Sequence, residues 1–206
     1  MSQAPASLHQ LDGSAAADAW SLSKDVLHLN HGSFGTVPKV TLAYQAELKA
    51  QMESDPVAWF VELPGRVRQE RQYLTDWFGA PAESGVLVPN ASAGATIIYN
   101  SIPRIKGAEI IVTNHGYGAV TMGTIRLAKR WSGKVVTVDI PLAASAQEAA
   151  DAVAAAFTNR TVLVVLDHVT SATARLLPVQ KITEYARERG VLTLVDGWEW
   201  GLTRCA

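Results

Sequence analysis

The sequence predicts an α/β protein with a mostly parallel sheet covered by helices on both faces. Three observations point there. Five short runs rich in Val, Ile and Leu recur between residues 86 and 195, more continuously apolar than a strand with one wet face would be. Stretches with helical spacing of apolar residues separate them, which is the pattern of βαβ units. The turns after four of the runs are crowded with small and polar residues, while the opposite turns are plainer.

Taken in order, residues 1–20 are rich in Ala, Ser and Gln and predict a loose arm. Gly32 and Gly35 mark a turn and Pro38 a helix start, after which Val40, Tyr44 and Leu48 recur at helical spacing to about Met52. A loop around Pro56 precedes a second helix, expected over 64–78, with Val67, Arg71, Leu74 and Phe78 along one side. The expected strands are residues 86–88, 109–113, 134–138, 161–166 and 191–195. Between them, helices are expected from about Ser92, then over 117–130, 145–157 and 179–189.

Composition narrows the function. With 206 residues, 48% hydrophobic and 18% charged, the chain has material for a real core. A net charge of −1 argues against nucleic acid or a membrane surface as partner, since both favour a basic face. No apolar run approaches the ~20 residues of a membrane helix, and the first 20 residues lack a secretory pattern. A single cysteine, Cys205, excludes an internal disulfide and a cysteine metal cluster, and the expected location is the cytoplasm. No His/Cys/Asp/Glu grouping has metal-ligand spacing.

In open parallel sheets ligands collect beyond the carboxyl ends of the strands. There the sequence places PNASAGA, NHGYGA, DHVTSATARLLP and DGW. Ser92 stands where a helix cap belongs, and Ala93, Gly94 and Ala95 leave the first amides unobstructed. It can cap its helix, the commoner case, or face a phosphate at the helix N-terminus. His115 and Tyr117 offer rings that can lie on a planar heterocycle or simply pack in their turn. Thr170, Ser171 and Thr173 supply hydroxyls, Asp167 and His168 can hold the loop, and Arg175 can bind a carboxylate or serve structure. Asp196 is the sharpest residue, because a carboxylate ending a buried strand is costly unless a cation or donor meets it. A protonated heterocyclic nitrogen would suit it. Neither GxGxxG after a strand nor GxxxxGK[ST] occurs, which counts against a Rossmann-like nucleotide binder.

Five stretches together resemble the N-terminal half of a class V aminotransferase: LNHGSFGTVP (29–38), VPNASAGA (88–95), VTNHGYGAV (112–120), DHVTSATARLLPV (167–179) and LVDG (194–197). The closest resemblance is to the isopenicillin N epimerase-like branch of the fold-type I enzymes that use pyridoxal 5′-phosphate (PLP). It implies the three-layer PLP-dependent transferase fold, incomplete because its C-terminal half is missing, with residues 1–62 as arm and helix, 63–197 as part of the PLP-binding large domain and 198–206 as a tail. It also implies roles. Ala91, Ser92 and Ala93 match the turn that holds the cofactor phosphate, and His115 the residue stacked on the pyridine ring, with Tyr117 a second candidate. Ser171 matches a polar position beside the phenolic oxygen, and Asp196 the acid that pairs with the pyridine nitrogen and keeps it protonated. Asn30, His31 and Gly32 match a segment near the substrate. The implied substrate is an amino acid or amine, with transamination, epimerisation or lyase chemistry open, and the full-length family implies a homodimer. A cysteine desulfurase-like lyase fits less well, since the only cysteine sits in the tail.

The pattern breaks after Gly197. Where the branch continues Ala-His-Ala-Pro-Gly, this chain has Trp198, Glu199, Trp200, Gly201 and Leu202. An abrupt change followed by a stop suggests a frameshift or premature end. All seven lysines (24, 39, 49, 106, 129, 134 and 181) precede Asp196, and none matches the Schiff-base lysine of the family. The expectation is therefore no catalytic residue in this chain, inactivity alone, an unpaired sheet edge, and low stability or dependence on a partner chain. A non-catalytic remnant or subunit that binds such a partner is the alternative.

Overall fold

The computed structural model describes residues 13–29, 31 and 34–197. Asn30, Gly32 and the tail 198–206 lie outside the described residues, as does the first part of the arm. The chain divides at Leu87/Val88 into two compact units. The division expected at 62/63 falls inside a continuous helix.

The first unit is built on two helices, α1 (Lys39–Ser54) and α2 (Pro56–Phe78). α2 begins eight residues before the expected start at Pro64. The Asp55 side chain accepts from the Ala58 amide at 2.9 Å, and Pro56 takes the first helical position, where its missing N–H costs nothing. Pro64 lies inside the helix, and the Phe60 carbonyl it cannot serve lies on an exposed turn that water can reach. Gly79, at φ 66°, closes the helix in the left-handed region that favours glycine. Among described residues Thr75 is the only one buried in either helix. Val40, Tyr44, Phe60 and Val61 are exposed, so these helices present apolar surface that they do not themselves cover.

The second unit holds the sheet. Its strands are β1 (Glu109–Thr113), β2 (Lys134–Val138), β3 (Thr161–Asp167) and β4 (Leu192–Asp196), all parallel, in the order β2-β1-β3-β4. The fifth run, residues 86–88, forms no strand. It finds no ladder partner among described residues, and all three side chains are exposed. An apolar β-branched run signals a willingness to pair and cannot signal a neighbour.

Alternation along the strands assigns the two faces. Ile110, Val112, Leu163 and Val165 pack with α3 (Ala91–Ser101) and α4 (Gly118–Arg130), through Ala95, Tyr99, Val120 and Leu127. Ile111, Val164 and Leu166 pack on the other face with α5 (Ala146–Ala155) and α6 (Val179–Glu188), through Val153 and Ile182. Layers on both faces are the predicted α/β architecture. Ser145 caps α5 in a reciprocal box with Glu148. α3 and α4 lie close because Gly123 has no Cβ; one placed there would stand 2.9 Å from the Tyr99 ring. None of the described helices is long and apolar enough to cross a membrane.

Candidate active site

The strand order fixes where a ligand belongs. From β1 the chain crosses to β2 on one side, and β3 and β4 lie on the other, so the connections diverge between β1 and β3. At that switch point the carboxyl ends leave a crevice. α4 starts directly after β1, so its N-terminus lies at this rim. α3 runs alongside in the same sense, since the Arg130 guanidinium at the end of α4 reaches Asn100 Oδ1 (2.7 Å) and the Tyr99 carbonyl (2.8 Å) near the end of α3. The N-terminus of α3 therefore lies at the rim too. The structure thus brings Ala91, Ser92, Ala93, His115, Ser171 and Asp196 to one end of one sheet.

Asn90, rather than Ser92, caps α3. Its side chain accepts from the Ala93 amide at 2.9 Å, while its carbonyl accepts from Gly94. Ser92 is the second helical residue, exposed, and its carbonyl takes the Thr96 hydroxyl. The amides of Ala91 and Ser92 have no acceptor among described residues. They are flanked by small side chains and point along the positive end of the helix dipole. Asn90 was legible as an Asx residue just before a helix. Asn90→Ala should lower stability by about 1 kcal/mol, measurable as a shift in the urea midpoint at unchanged slope.

His115 is half-buried, and its ring is fixed within its plane. The Ile140 carbonyl can only accept, so Nε2 donates to it at 2.8 Å, and Nδ1 is left to a long 3.5 Å contact with the Thr173 hydroxyl. With both nitrogens engaged, the ring offers a ligand its face. The loop that holds it is itself clamped. Asn114 donates to Asp139 and accepts from the Ile140 amide. Arg175 binds the carbonyls of Pro141, Leu142 and Ala144, which settles its role as structural rather than carboxylate-binding. Thr170, buried, accepts from the Arg175 amide and bonds the Thr173 hydroxyl at 2.6 Å; Ser171 remains exposed at the tip.

Asp196 ends β4 half-buried, and its carboxylate has no hydrogen-bond or ion partner among described residues. Burial raises its pKa. Its register partner on β3 is Asp167, 4% exposed, which accepts from the Tyr117 amide at 3.0 Å and 3.4 Å through its two oxygens. Burial first, and then the Asp196 charge, push Asp167 up to about 6, against the opposing pull of the Tyr117 amide and His115. Because the folded value lies above the unfolded one, this group favours folding most below pH ~4 and loses that contribution as pH rises through 6. From pH 4 to pH 7, Asp167→Asn should therefore gain on the wild type by on the order of 2 kcal/mol, allowing for screening. Thermal unfolding across that range checks the sign; a constant difference would contradict it.

His31 belongs to the first unit, where its ring meets His28 edge-on at 4.6 Å and lies 6.2 Å from Trp20. Of the second unit's lysines, Lys106, Lys129 and Lys134 lie at the end of the sheet opposite the rim, and Lys181 bonds Gln147 on the outer α5–α6 layer.

The second unit is thus an α/β domain that brings to one end of its sheet free amides at a helix N-terminus, a histidine held through both ring nitrogens and an acid without a partner among described residues. The chain belongs to the class-V aminotransferase family, whose model matches residues 34–199. It is 30% identical over 187 residues to isopenicillin N epimerase of Amycolatopsis lactamdurans, covering 88% of this chain and 47% of that protein. It is 26% identical over 183 residues to a probable chloroplastic L-cysteine desulfhydrase of Arabidopsis thaliana, covering 81% and 38%. The chain spans about half the length of the curated relatives it matches. Among solved structures, a C-DES variant with glycine linked covalently to its PLP cofactor superposes at a TM-score of 0.74, with 22% identity, 79% of this chain and 44% of that one. The cysteine desulfurase CsdA from Escherichia coli superposes at 0.64, with 18% identity, 78% of this chain and 42% of that one. These likenesses establish the fold as that of the PLP-dependent fold-type I enzymes.

Proposed function

We propose that the chain binds PLP at the strand-end rim and acts in a PLP-dependent reaction on an amino acid or amine, in the manner of the isopenicillin N epimerase-like branch. The observation that carries this is Asp196, a half-buried acid without a partner among described residues, on the same rim as the free α3 amides and the face of His115. These residues fit the group. The α3 N-terminus, through Ala91, Ser92 and Ala93, would take the phosphate, His115 would lie on the ring, Ser171 would reach the phenolic oxygen, and Asp196 would hold the ring nitrogen protonated. When bound, PLP supplies an electron sink for a carbanion next to the substrate nitrogen. The chain's part would be to orient the ring against the face of His115 and to keep negative charge at the strand ends. Asn30, His31 and Gly32 remain proposed for the substrate side. A homodimer and a cytoplasmic location complete the proposal, the first supported by the uncovered apolar surface of α1 and α2.

The test is calorimetric titration with 4′-deoxypyridoxine 5′-phosphate, which keeps ring and phosphate but has no aldehyde to react with surface lysines. Saturable one-to-one binding, displaced by PLP, is expected; no saturable binding sinks the proposal. A second reading, a non-catalytic chain completed by a partner, is favoured by the absence of a rim lysine among described residues. Borohydride reduction of the PLP-loaded chain separates the two: one labelled lysine supports an enzyme complete in itself, and none supports the second reading.

A further inference from the structure

Asp196 does not stand alone at the strand ends. Asp167 and Asp196 are Cα partners in the parallel β3–β4 ladder, where neighbouring strands run ~4.8 Å apart. Alternation puts both side chains on the same face. Leu163 and Val165 of β3 and Leu194 of β4 point into the α3–α4 core, so Asp167 and Asp196, two residues further on, do as well. Tyr99 of α3, on that face, feels both negative charges. Yet their surroundings differ. Asp167 is nearly buried and tied to the Tyr117 amide at the start of α4, whereas Asp196 has no donor among described residues.

Two acids side by side repel, and a fold can lower that cost with a donor, a proton or a cation. The Tyr117 amide supplies one donor. The other groups on this face are Tyr99, whose hydroxyl is committed to Thr124 and the Val120 carbonyl, and His115, whose nitrogens are engaged with Ile140 and Thr173. No Lys or Arg side chain among described residues pairs with either acid. His115 acts on Asp167 only through space, so a cation in hydrogen-bond contact with the pair has to come from outside.

We propose that Asp167 is a positioning residue of the cofactor site: its carboxylate fastens the start of α4 through the Tyr117 amide and, beside Asp196, makes the strand ends a two-carboxylate seat that takes a heteroaromatic ring in its protonated form. This rests on the reading of the rim as a PLP site. Asp196 faces the ring nitrogen and Asp167 stands behind it, doubling the negative charge that favours the ring proton. The same carboxylate sets the entry of the chain into α4, and with it the turn carrying His115. Asp167, which burial and the Asp196 charge keep protonated up to about pH 6 in the free protein, gives up that proton as the ring cation arrives, so binding near pH 6 releases a proton to buffer.

The test uses 4′-deoxypyridoxine 5′-phosphate with the full chain, reading the ultraviolet band of its protonated ring between pH 5 and 9. In the wild type the bound ring should hold its proton to higher pH than free ligand. In Asp167→Asn, which keeps an acceptor for the Tyr117 amide, the bound ring's midpoint should fall by about one pH unit, and affinity at pH 8 by roughly tenfold. The thermal midpoint of the free variant should not fall at neutral pH. A merely structural Asp167 would lower affinity and thermal midpoint and leave the ring's midpoint where it was, and that result overturns the inference. Should Asp167→Asn not fold, Asp167→Ser is read in the same way. No binding by the wild type overturns the cofactor reading and this inference with it. Binding with an unmoved midpoint in the variant overturns this inference alone.

Discussion

Trp131→Ala should lower the unfolding free energy of the chain by about 3 kcal/mol, toward the low end of the range for deleting a large buried aromatic. Trp131 ends α4 fully buried among Ala108, Ile110, Leu127 and Leu163, so its removal leaves a cavity that the sheet cannot close. The low end is chosen for a reason. The indole N–H is buried without a partner among described residues, so the wild type already carries part of a desolvation cost that alanine removes. The same argument makes Trp131→Phe nearly neutral, because it keeps most of the ring and deletes the unpaired donor. Urea unfolding followed by circular dichroism separates the two: a large drop for Ala and a shift within about 1 kcal/mol for Phe. Equal losses in both variants would mean that the indole nitrogen is partnered. A typical domain is stable by only about 5–15 kcal/mol, so the alanine variant should also aggregate on mild warming.

Asp196→Ala should weaken binding of a pyridoxal-type ligand by roughly 10- to 100-fold. A charge-assisted hydrogen bond to a ring nitrogen is worth about 1.5–3 kcal/mol, and no donor among described residues competes for the acid. The companion effect has the opposite sign. Burial raises the Asp196 pKa, so the ionised acid strains the free protein at neutral pH, and its removal should leave the free chain as stable as before or more so. Calorimetry and thermal unfolding on the same sample read both. Loss of affinity together with loss of stability would make Asp196 a structural anchor, contrary to its place at the rim.

Much of this was legible in the sequence, and the failures share a cause. β1 and β2 run as predicted from their apolar stretches, and the helices after them begin within a residue or two of the expected caps. Where the sequence offered two competent signals, only the packed chain chose between them. Pro56 and Pro64 can each start a helix, and the Asp55 side chain decided for Pro56. Asn90 and Ser92 can each cap α3, and the extended backbone of Asn90 decided that one. Residues 86–88 look like a strand because their side chains suit one, but the ladder needs a partner that periodicity does not encode.

The candidate site divides along the same line. Asp196, His115 and the α3 turn were visible because each is an unusual residue at the end of an apolar run. Asp167 has the same signature, yet its meaning depends on the register that sets it beside Asp196 and on the amide of Tyr117, 50 residues earlier. Arg175 was open between ligand and scaffold until three loop carbonyls claimed it. Contacts between distant segments gave these residues their roles, and a linear reading could only nominate them.

The central claim, that the carboxyl ends of the strands seat PLP, is tested most directly by amide hydrogen exchange with and without 4′-deoxypyridoxine 5′-phosphate. Exchange should slow in peptides covering residues 90–94, 114–118 and 194–197, and stay unchanged over residues 102–108 and 158–161 at the opposite end of the sheet. Protection confined to that opposite end, or to the helices of the first unit, would contradict it.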